Sequence, residues 1–385
     1  MERDELAGWL RLTLTPGIGD ISARKLLAAF GLPPHVFAQS EAALQQVVSP
    51  AQAAALRLAP SGWSALVGET WDWLQAVEPS GATRRLLTLA DPAYPASLLD
   101  MIDPPLMLYV IGAPQFDLTG LDRVLAIVGS RNPTPQGASN AQAFGRAFKD
   151  LGIPVVSGLA LGVDGAAHQG ALDGAAADAL ATVAVVGTGL DRVYPARHRA
   201  LAPRIARQGL IVSEFALGTP PLNQNFPKRN RIISGLSQGT LVIEAALKSG
   251  SLITARMASE QGREVFAIPG SIHSAQSRGC HALIRQGAKL VESVHDVLEE
   301  LQLHDALTGK GKASTASGPA DDTDDAQPED AGLLKDLGFD PVSLDALCAR
   351  TGSTPATLQA QLLELELDDQ VARLPGGLFQ RVGRG

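Results

Sequence analysis

Leu125-Ala126-Ile127-Val128-Gly129-Ser130 is a run of four apolar residues that closes on a glycine and a serine, with no polar residue alternating inside it. Six comparable runs follow: IPVVSG at 153–158, TVAVVG at 182–187, GLIVSE at 209–214, GTLVIEA at 239–245, EVFAIPG at 264–270 and AKLVES at 288–293. A strand with one solvated face alternates apolar and polar residues, whereas a strand covered on both faces reads as a continuous apolar run. Helical patterns separate the runs, and strands alternating with helices predict a doubly wound α/β domain around a parallel sheet.

Outward from that domain the chain changes character. Its 385 residues exceed what one core usually serves, so several domains are expected. Residues 1–85 read as helical, with Asp91 to Gly112 a Pro-rich connecting arm, and 86–303 form the α/β domain. Residues 304–331 are Gly-, Ala-, Ser- and acid-rich and read as a disordered linker. Residues 332–385 read as three short helices and a hairpin, VARLPGGLFQRV, which together suggest a winged helix. No run of 18 apolar residues exists and the first ten residues carry acids, so neither a membrane span nor a signal peptide is expected and the chain reads as cytoplasmic. Cys280 and Cys348 fall in different domains without Cys or His at metal spacing, which supports neither a disulfide framework nor a zinc site.

The net charge of −8 is unsuited to a polyanion until it is divided. Residues 1–120 net −5, residues 121–303 net +4, residues 304–331 net −5 and residues 332–385 net −2. Only the α/β domain is basic, and association follows the local field rather than the total.

Ligands of open parallel sheets bind beyond the carboxyl ends of the strands. There the first strand gives Gly129, Ser130 and Arg131: a bare backbone, a hydroxyl and a planar cation suited to phosphate. The second gives Ser157 and Gly158 in SGLALGVD, before a helix start whose amides suit an anion. The third gives GTGLDRVYP at 187–195, where Gly187 and Gly189 equally suit tight turns. The fourth is NFPKRNRIISG at 225–235, in which Lys228, Arg229 and Arg231 lie beside Phe226, joining phosphate neutralisation to a stacking surface. Phe226 also suits a core. At least one of the two arginines is expected to turn inward onto Glu244 or Asp164, which leaves Lys228 as the freest phosphate contact.

Several chemistries are disfavoured. Gly129 is followed by Ser-Arg-Asn-Pro rather than G-x-G-x-x-G, and the second strand ends in a serine rather than an acid, so NAD is not expected. No G-K-[ST] follows a strand. Gly235-Leu-Ser-Gln-Gly239 matches the hydrolase G-x-S-x-G string, but a helical pattern precedes it and a strand follows, the reverse of a nucleophile elbow. Asp164 and His168, four apart, lack a third metal ligand and read as a capping acid and a packing histidine. Glu244 and Lys248 read as a helix salt bridge. No catalytic residue, metal or cofactor is expected.

In order and spacing, IVGSR at 127–131, SGLALGVDGAAH at 157–168, GTGLDRVYP at 187–195, NFPKRNRIISGLS at 225–237, SGSLITARMASEQGR at 249–263, VFAIPG at 265–270 and GCHALIRQGA at 279–288 resemble the DNA-processing protein A family, DprA, also called Smf. The resemblance implies an α/β, extended Rossmann-like core between an N-terminal helical (helix-hairpin-helix or SAM-like) domain and a C-terminal winged helix. It further implies a nonenzymatic homodimer that binds single-stranded DNA in natural transformation, overcomes single-strand-binding protein and loads the RecA recombinase. Carried over by position, Gly129, Ser130, Arg131, Phe226, Lys228, Arg229, Asn230, Arg231, Lys248, Ser249 and Gly250 would line the DNA pocket. Where many members have a lysine directly after Tyr-Pro, this chain has Ala196 and then Arg197. The flanks are plainer. Thr15-Pro-Gly-Ile-Gly-Asp20 resembles a helix-hairpin-helix turn in an acidic domain, which favours packing over phosphate binding. The helix expected near 355–365 has glutamines but no Lys or Arg, which favours a protein contact over sequence reading.

A competing reading is a nucleotide N-glycosidic hydrolase resembling the lysine-decarboxylase-like phosphoribohydrolases. Their P-G-G-x-G-T-x-x-E signature would fall near Ser237 to Glu244. The chain has Gly239-Thr240 but no Pro-Gly-Gly, and Glu244 lies one position late.

Overall fold

A computed structural model describes residues 1–78, 81–119, 121–303 and 332–382. The predicted strands are present as β3 (Leu125–Val128), β4 (Val155–Ser157), β5 (Thr182–Val185), β6 (Gly209–Ser213), β7 (Gly239–Val242), β8 (Glu264–Ala267) and the two-residue β9 (Lys289–Leu290). They run parallel from β6 through β5, β4, β3, β7 and β8 to β9. The end of the segment expected to be an arm is instead a strand of the sheet. β2 (Met107–Gly112) pairs antiparallel with β6, and β1 (Thr83–Thr88) pairs antiparallel with β2. Among the described residues the mixed α/β core is thus a nine-stranded, mostly parallel sheet.

Side chains of successive strand residues point to opposite faces. Leu125, Ile127 and Val155 join Phe144 and Phe148 of the helix Pro135–Asp150 on one side. Ala126, Val128, Val156 and Val183 join Ile232, Ile233 and Leu236 of the helix Asn225–Leu236 on the other. Both faces are therefore apolar, which is why the strands read without alternation. The amino-terminal helices bury Leu6, Trp9, Leu10 and Leu26 in one cluster with Tyr109 of β2, Ile211 of β6 and Ile205 of the helix Leu201–Gln208, so they pack onto the sheet's antiparallel end.

Strand order reverses between β4 and β7, the two neighbours of β3. Chain leaving β3 moves one way along the sheet, and chain leaving β7 moves the other. The connections diverge there and leave a crevice at the carboxyl ends of the strands.

The carboxyl-terminal module is a winged helix. The helices Leu333–Leu337, Leu344–Thr351 and Pro355–Leu367 precede the hairpin of β11 (Val371–Leu374) and β12 (Leu378–Arg381), with β10 (Val342–Ser343) added to β12. Leu337, Leu347, Leu358, Leu362 and Phe379 make its core. The linker expected at 304–331 lies outside the described residues. Among the described residues no helix is long and apolar enough to cross a membrane.

Candidate nucleic-acid interface

The crevice between β3 and β7 opens into a cavity of about 570 Å³. Gly129, Ser130, Arg131, Phe226, Arg229, Asn230, Lys248, Ser249 and Gly250, all anticipated from sequence, line it. Glycine at 129 is required by space: a Cβ there would lie 2.7 Å from Val163 Cγ2. The backbone can approach a ligand at that point because no side chain fits. Ser130 is buried, and its hydroxyl accepts from the Asn132 amide and fixes the turn.

The 225–235 stretch is not a loop. It begins the helix Asn225–Leu236, so its cations project at helical angles rather than along one edge. Phe226 is half-buried at the mouth, with the Arg131 guanidinium 5.4 Å from its ring centre and the Tyr194 ring 5.7 Å away at a tilt of 32°. Arg131 and Lys248 are exposed, while Gly250 caps the start of the helix Ser251–Glu260. The first amides of that helix are already paired, Ser251 with the Ser249 hydroxyl, Leu252 with the Ser249 carbonyl and Ile253 with the Gly250 carbonyl, so what this end offers an anion is the positive end of the helix dipole. A smaller cleft of about 70 Å³ continues behind Phe226 past Gly158 and Gly187 to Tyr194.

Arg229 forms the floor. It is 4 % exposed and donates to the Val185 carbonyl from Nη1. Burial pulls its pKa down to about 10, a fall opposed by the Asp164 carboxylate and furthered by Arg131. Asp164 is itself buried, accepting from the amides of Gly158 at 3.1 Å and Ala160 at 3.3 Å, so the second loop curls around its carboxylate. Burial raises the Asp164 pKa, and Arg229 opposes the rise. His168 does not join it toward a metal. Its Nδ1 lies 2.7 Å from Thr182 Oγ1. Because that hydroxyl donates to the Val155 carbonyl, the ring must donate from Nδ1. Burial holds its pKa down to about 3.

Four anticipated residues are not brought to the cavity. Lys228, read as the freest cation, is ion-paired to Asp20 at 3.2 Å and Glu214 at 3.3 Å. Burial lowers the Lys228 pKa, but those two carboxylates outweigh it and the net change is upward. Arg231 is 4 % exposed and bonds Glu214 at 2.6 Å, Asp103 at 3.0 Å and Asp20 at 3.4 Å, not Glu244 or Asp164. Ser157 is fully buried with its hydroxyl on the Ile127 carbonyl, joining β4 to β3. Arg197 is exposed on the short 3-10 turn Ala196–His198, and it lines neither cavity although Tyr194 and Pro195 just before it line the smaller one. Sequence reasoning did not single out Asn132, Tyr194 or Gln276, which the fold brings to the two cavities.

Glu244 is also placed elsewhere than expected. Rather than pairing with Lys248 on a helix, it accepts from the Thr134 amide at 2.9 Å and hydroxyl at 2.5 Å. Those contacts turn it into the start of the helix Pro135–Asp150, where a Cβ on Gly137 would strike its carboxylate. The carboxylate of the hydrolase reading is therefore occupied with structure.

A cleft with bare backbone, exposed cations at its lip, a half-exposed aromatic and a buried cationic floor suits a chain of phosphates with bases that can be stacked. Family models match at two places: DNA recombination-mediator protein A over residues 85–302 and the DprA winged helix domain over residues 317–377. The chain is 44 % identical over 286 residues to Protein Smf of Escherichia coli (strain K12), covering 74 % of each protein. It is 45 % identical over 215 residues to DNA processing protein DprA of Streptococcus pneumoniae, covering 56 % of this chain and 73 % of that one. The solved structure of the S. pneumoniae protein aligns with a TM-score of 0.62 at 34 % identity, covering 78 % of this chain and 98 % of that one. DNA processing protein A from Helicobacter pylori, described for its single-stranded DNA binding mode, aligns with a TM-score of 0.50 at 30 % identity, covering 57 % and 97 %.

Proposed function

From the premise that this chain belongs to the DNA recombination-mediator protein A family, we propose that it binds single-stranded DNA in the β3–β7 crevice. It shields the incoming strand, passes it to RecA in place of single-strand-binding protein, acts as a homodimer in the cytoplasm and performs no chemistry on the strand.

One observation supports the binding reading above the others. Arg131 lies over the ring of Phe226 at the mouth of a cleft whose lining mixes apolar residues such as Val128, Ile233 and Ile253 with glycines, hydroxyls and cations. A guanidinium beside an aromatic keeps donors free for a phosphate, while the part of the half-buried ring that Arg131 and Tyr194 leave uncovered is available to a base. A duplex has its bases stacked inside and offers none to such a ring. Arg131, Lys248 and the start of the Ser251–Glu260 helix then neutralise the backbone, with Arg229 supplying fixed positive potential from below. Gly129 and Gly250 let the strand approach without a side chain between.

Fluorescence anisotropy with labelled oligo-dT and a duplex of equal length tests binding. Preference for the single strand is expected, and equal affinity for both would overturn the reading. Transfer to RecA is tested by filament growth on strands already coated with single-strand-binding protein. The chain should shorten the lag, and an Arg131→Ala, Lys248→Ala double variant should not.

A further inference from the structure

The helix Pro355–Leu367 of the winged module is apolar on two faces. Leu358 and Leu362 fill the module's core, while Leu363 is 58 % and Leu367 78 % exposed. With Ala356 and Ala360 they form a stripe at spacings of four, three and four, the period of one helix face. The charged residues of this helix are Glu364 and Glu366, and Asp368 and Asp369 follow directly. In winged helices that read DNA the corresponding helix enters the major groove. An apolar stripe edged with acids would meet phosphates with repulsion, so this face is made for protein.

The amino-terminal domain carries a complementary surface. A groove of about 630 Å³ runs between the helix Asp20–Phe30 and the segment after β1. Ile21 is 55 %, Leu32 43 % and Leu99 49 % exposed along it. Its charged lining residues are Arg24 and Lys25, with Arg24 held at the rim by donating to the Ile102 carbonyl. One element thus presents apolar residues bordered by anions, and the other an apolar trough bordered by cations. This is the arrangement of an amphipathic helix seated in a groove.

We propose that the Pro355–Leu367 helix of the same chain docks in this groove, with Leu363 and Leu367 in the trough and Glu364 and Glu366 facing Arg24 and Lys25. Two features favour the chain's own module over a foreign helix: the charges match, and the tether is long enough. Residues 304–331 join the described parts, and that length of chain can extend on the order of 90 Å. Tethering also holds a module near its site at effective concentrations of roughly millimolar order, so a modest interface suffices. The groove lies where the amino-terminal helices meet the segment after β1, and it shares no lining residue with the β3–β7 crevice.

Carbodiimide joins an amine to a carboxylate in contact and leaves no spacer. Applied to the dilute full-length chain, mixed as equal parts unlabelled and nitrogen-15-labelled protein, it should link Lys25 to Glu364 or Glu366 within single isotopic species. Leu363→Asp with Leu367→Asp should lower the yield by at least about tenfold, since neither leucine would then fill the trough. Both sites are exposed, so the fold should persist, as circular dichroism would verify. Lys25→Glu alone should abolish that link, and adding Glu364→Lys and Glu366→Lys should restore an amide between the same positions. Absence of the link in the parent chain, or a yield indifferent to the aspartates, would overturn the proposal. Links in mixed isotopic pairs would also overturn it and assign the groove to a second copy.

Discussion

Arg229 packs against Gly158 so closely that a Cβ on the glycine would overlap its Nη1. The guanidinium is anchored to the Val185 carbonyl and cannot simply swing aside. Gly158→Ala should cost about 1–3 kcal/mol of stability by overpacking. It should also weaken single-strand binding by displacing the cationic floor. Urea midpoints and anisotropy check the two effects, and unchanged affinity in a destabilised variant would remove Arg229 from the binding account.

Arg131 and Lys248 are the exposed cations of the lip. Replacing either with alanine should weaken binding to all sequences alike. It should also make the slope of log affinity against log salt shallower by about 0.7 for each phosphate no longer neutralised. A salt titration with oligo-dT and oligo-dC reads both, and an unchanged slope would show that these side chains touch no phosphate.

Phe226 rests on Arg131 and Tyr194 rather than inside the core. Phe226→Ala should cost about 1–3 kcal/mol of single-strand affinity, the range for one stacked base, while Phe226→Trp should keep most of it. If alanine lowered the melting temperature and left affinity intact, the ring would be packing only.

Arg231 is 5 % and Glu214 4 % exposed by side chain, and they meet at 2.6 Å. Burial raises the Glu214 pKa, and Arg231 opposes that rise. Arg231→Ala would leave the buried carboxylate with Lys228 alone at 3.3 Å, for an expected loss at or below the lower end of the range of about 3–5 kcal/mol for a broken buried pair, and adding Glu214→Gln should recover part of it. Thermal unfolding of the single and double variants measures the coupling, and simple additivity would mean the two groups do not depend on each other.

His168 gives the stability a pH dependence of known sign. The folded ring protonates only near pH 3, against an ordinary value of 6.5. Between those values the unfolded chain binds more protons, so this group's contribution is complete above about pH 6.5 and lost as pH falls, by up to about 1.4 kcal/mol per pH unit. Buried carboxylates with raised pKa values, Glu214 among them, act in the opposite direction, so the histidine shows in a difference. Denaturant midpoints at pH 7 and pH 5 should diverge less in His168→Gln than in the parent chain. Equal divergence would mean the ring is already charged when folded.

The parallel sheet was legible because strands buried on both faces leave an uninterrupted apolar record, as Leu125–Val128 and Thr182–Val185 do. β2 reads as an arm in the sequence because prolines 104 and 105 stand just before it and its partner β6 lies about a hundred residues downstream. The lip of the crevice was legible where glycine or charge is dictated locally, at Gly129, Arg131 and Lys248. Lys228 and Arg231 were misplaced for a different reason. A cation shows its charge in the sequence but not its partner, and theirs includes Asp20, 211 positions from Arg231. Tyr194 passed unnoticed because its significance is a ring 32 positions away that folding sets beside it.

That distant partnership orders events during synthesis. Asp20 leaves the ribosome 211 residues ahead of Arg231, an interval of roughly 10 to 40 s at typical elongation rates of about 5–20 residues per second. β2 and β6 are both made within that interval, so the apolar flank of the amino-terminal helices can be covered while the Asp20 carboxylate still lacks its cations. The ionic tie is therefore a late step, closed when the helix that carries the aromatic lip is made. A nascent chain halted just before Lys228 should hold the helical domain against β2 and β6 by apolar contact alone.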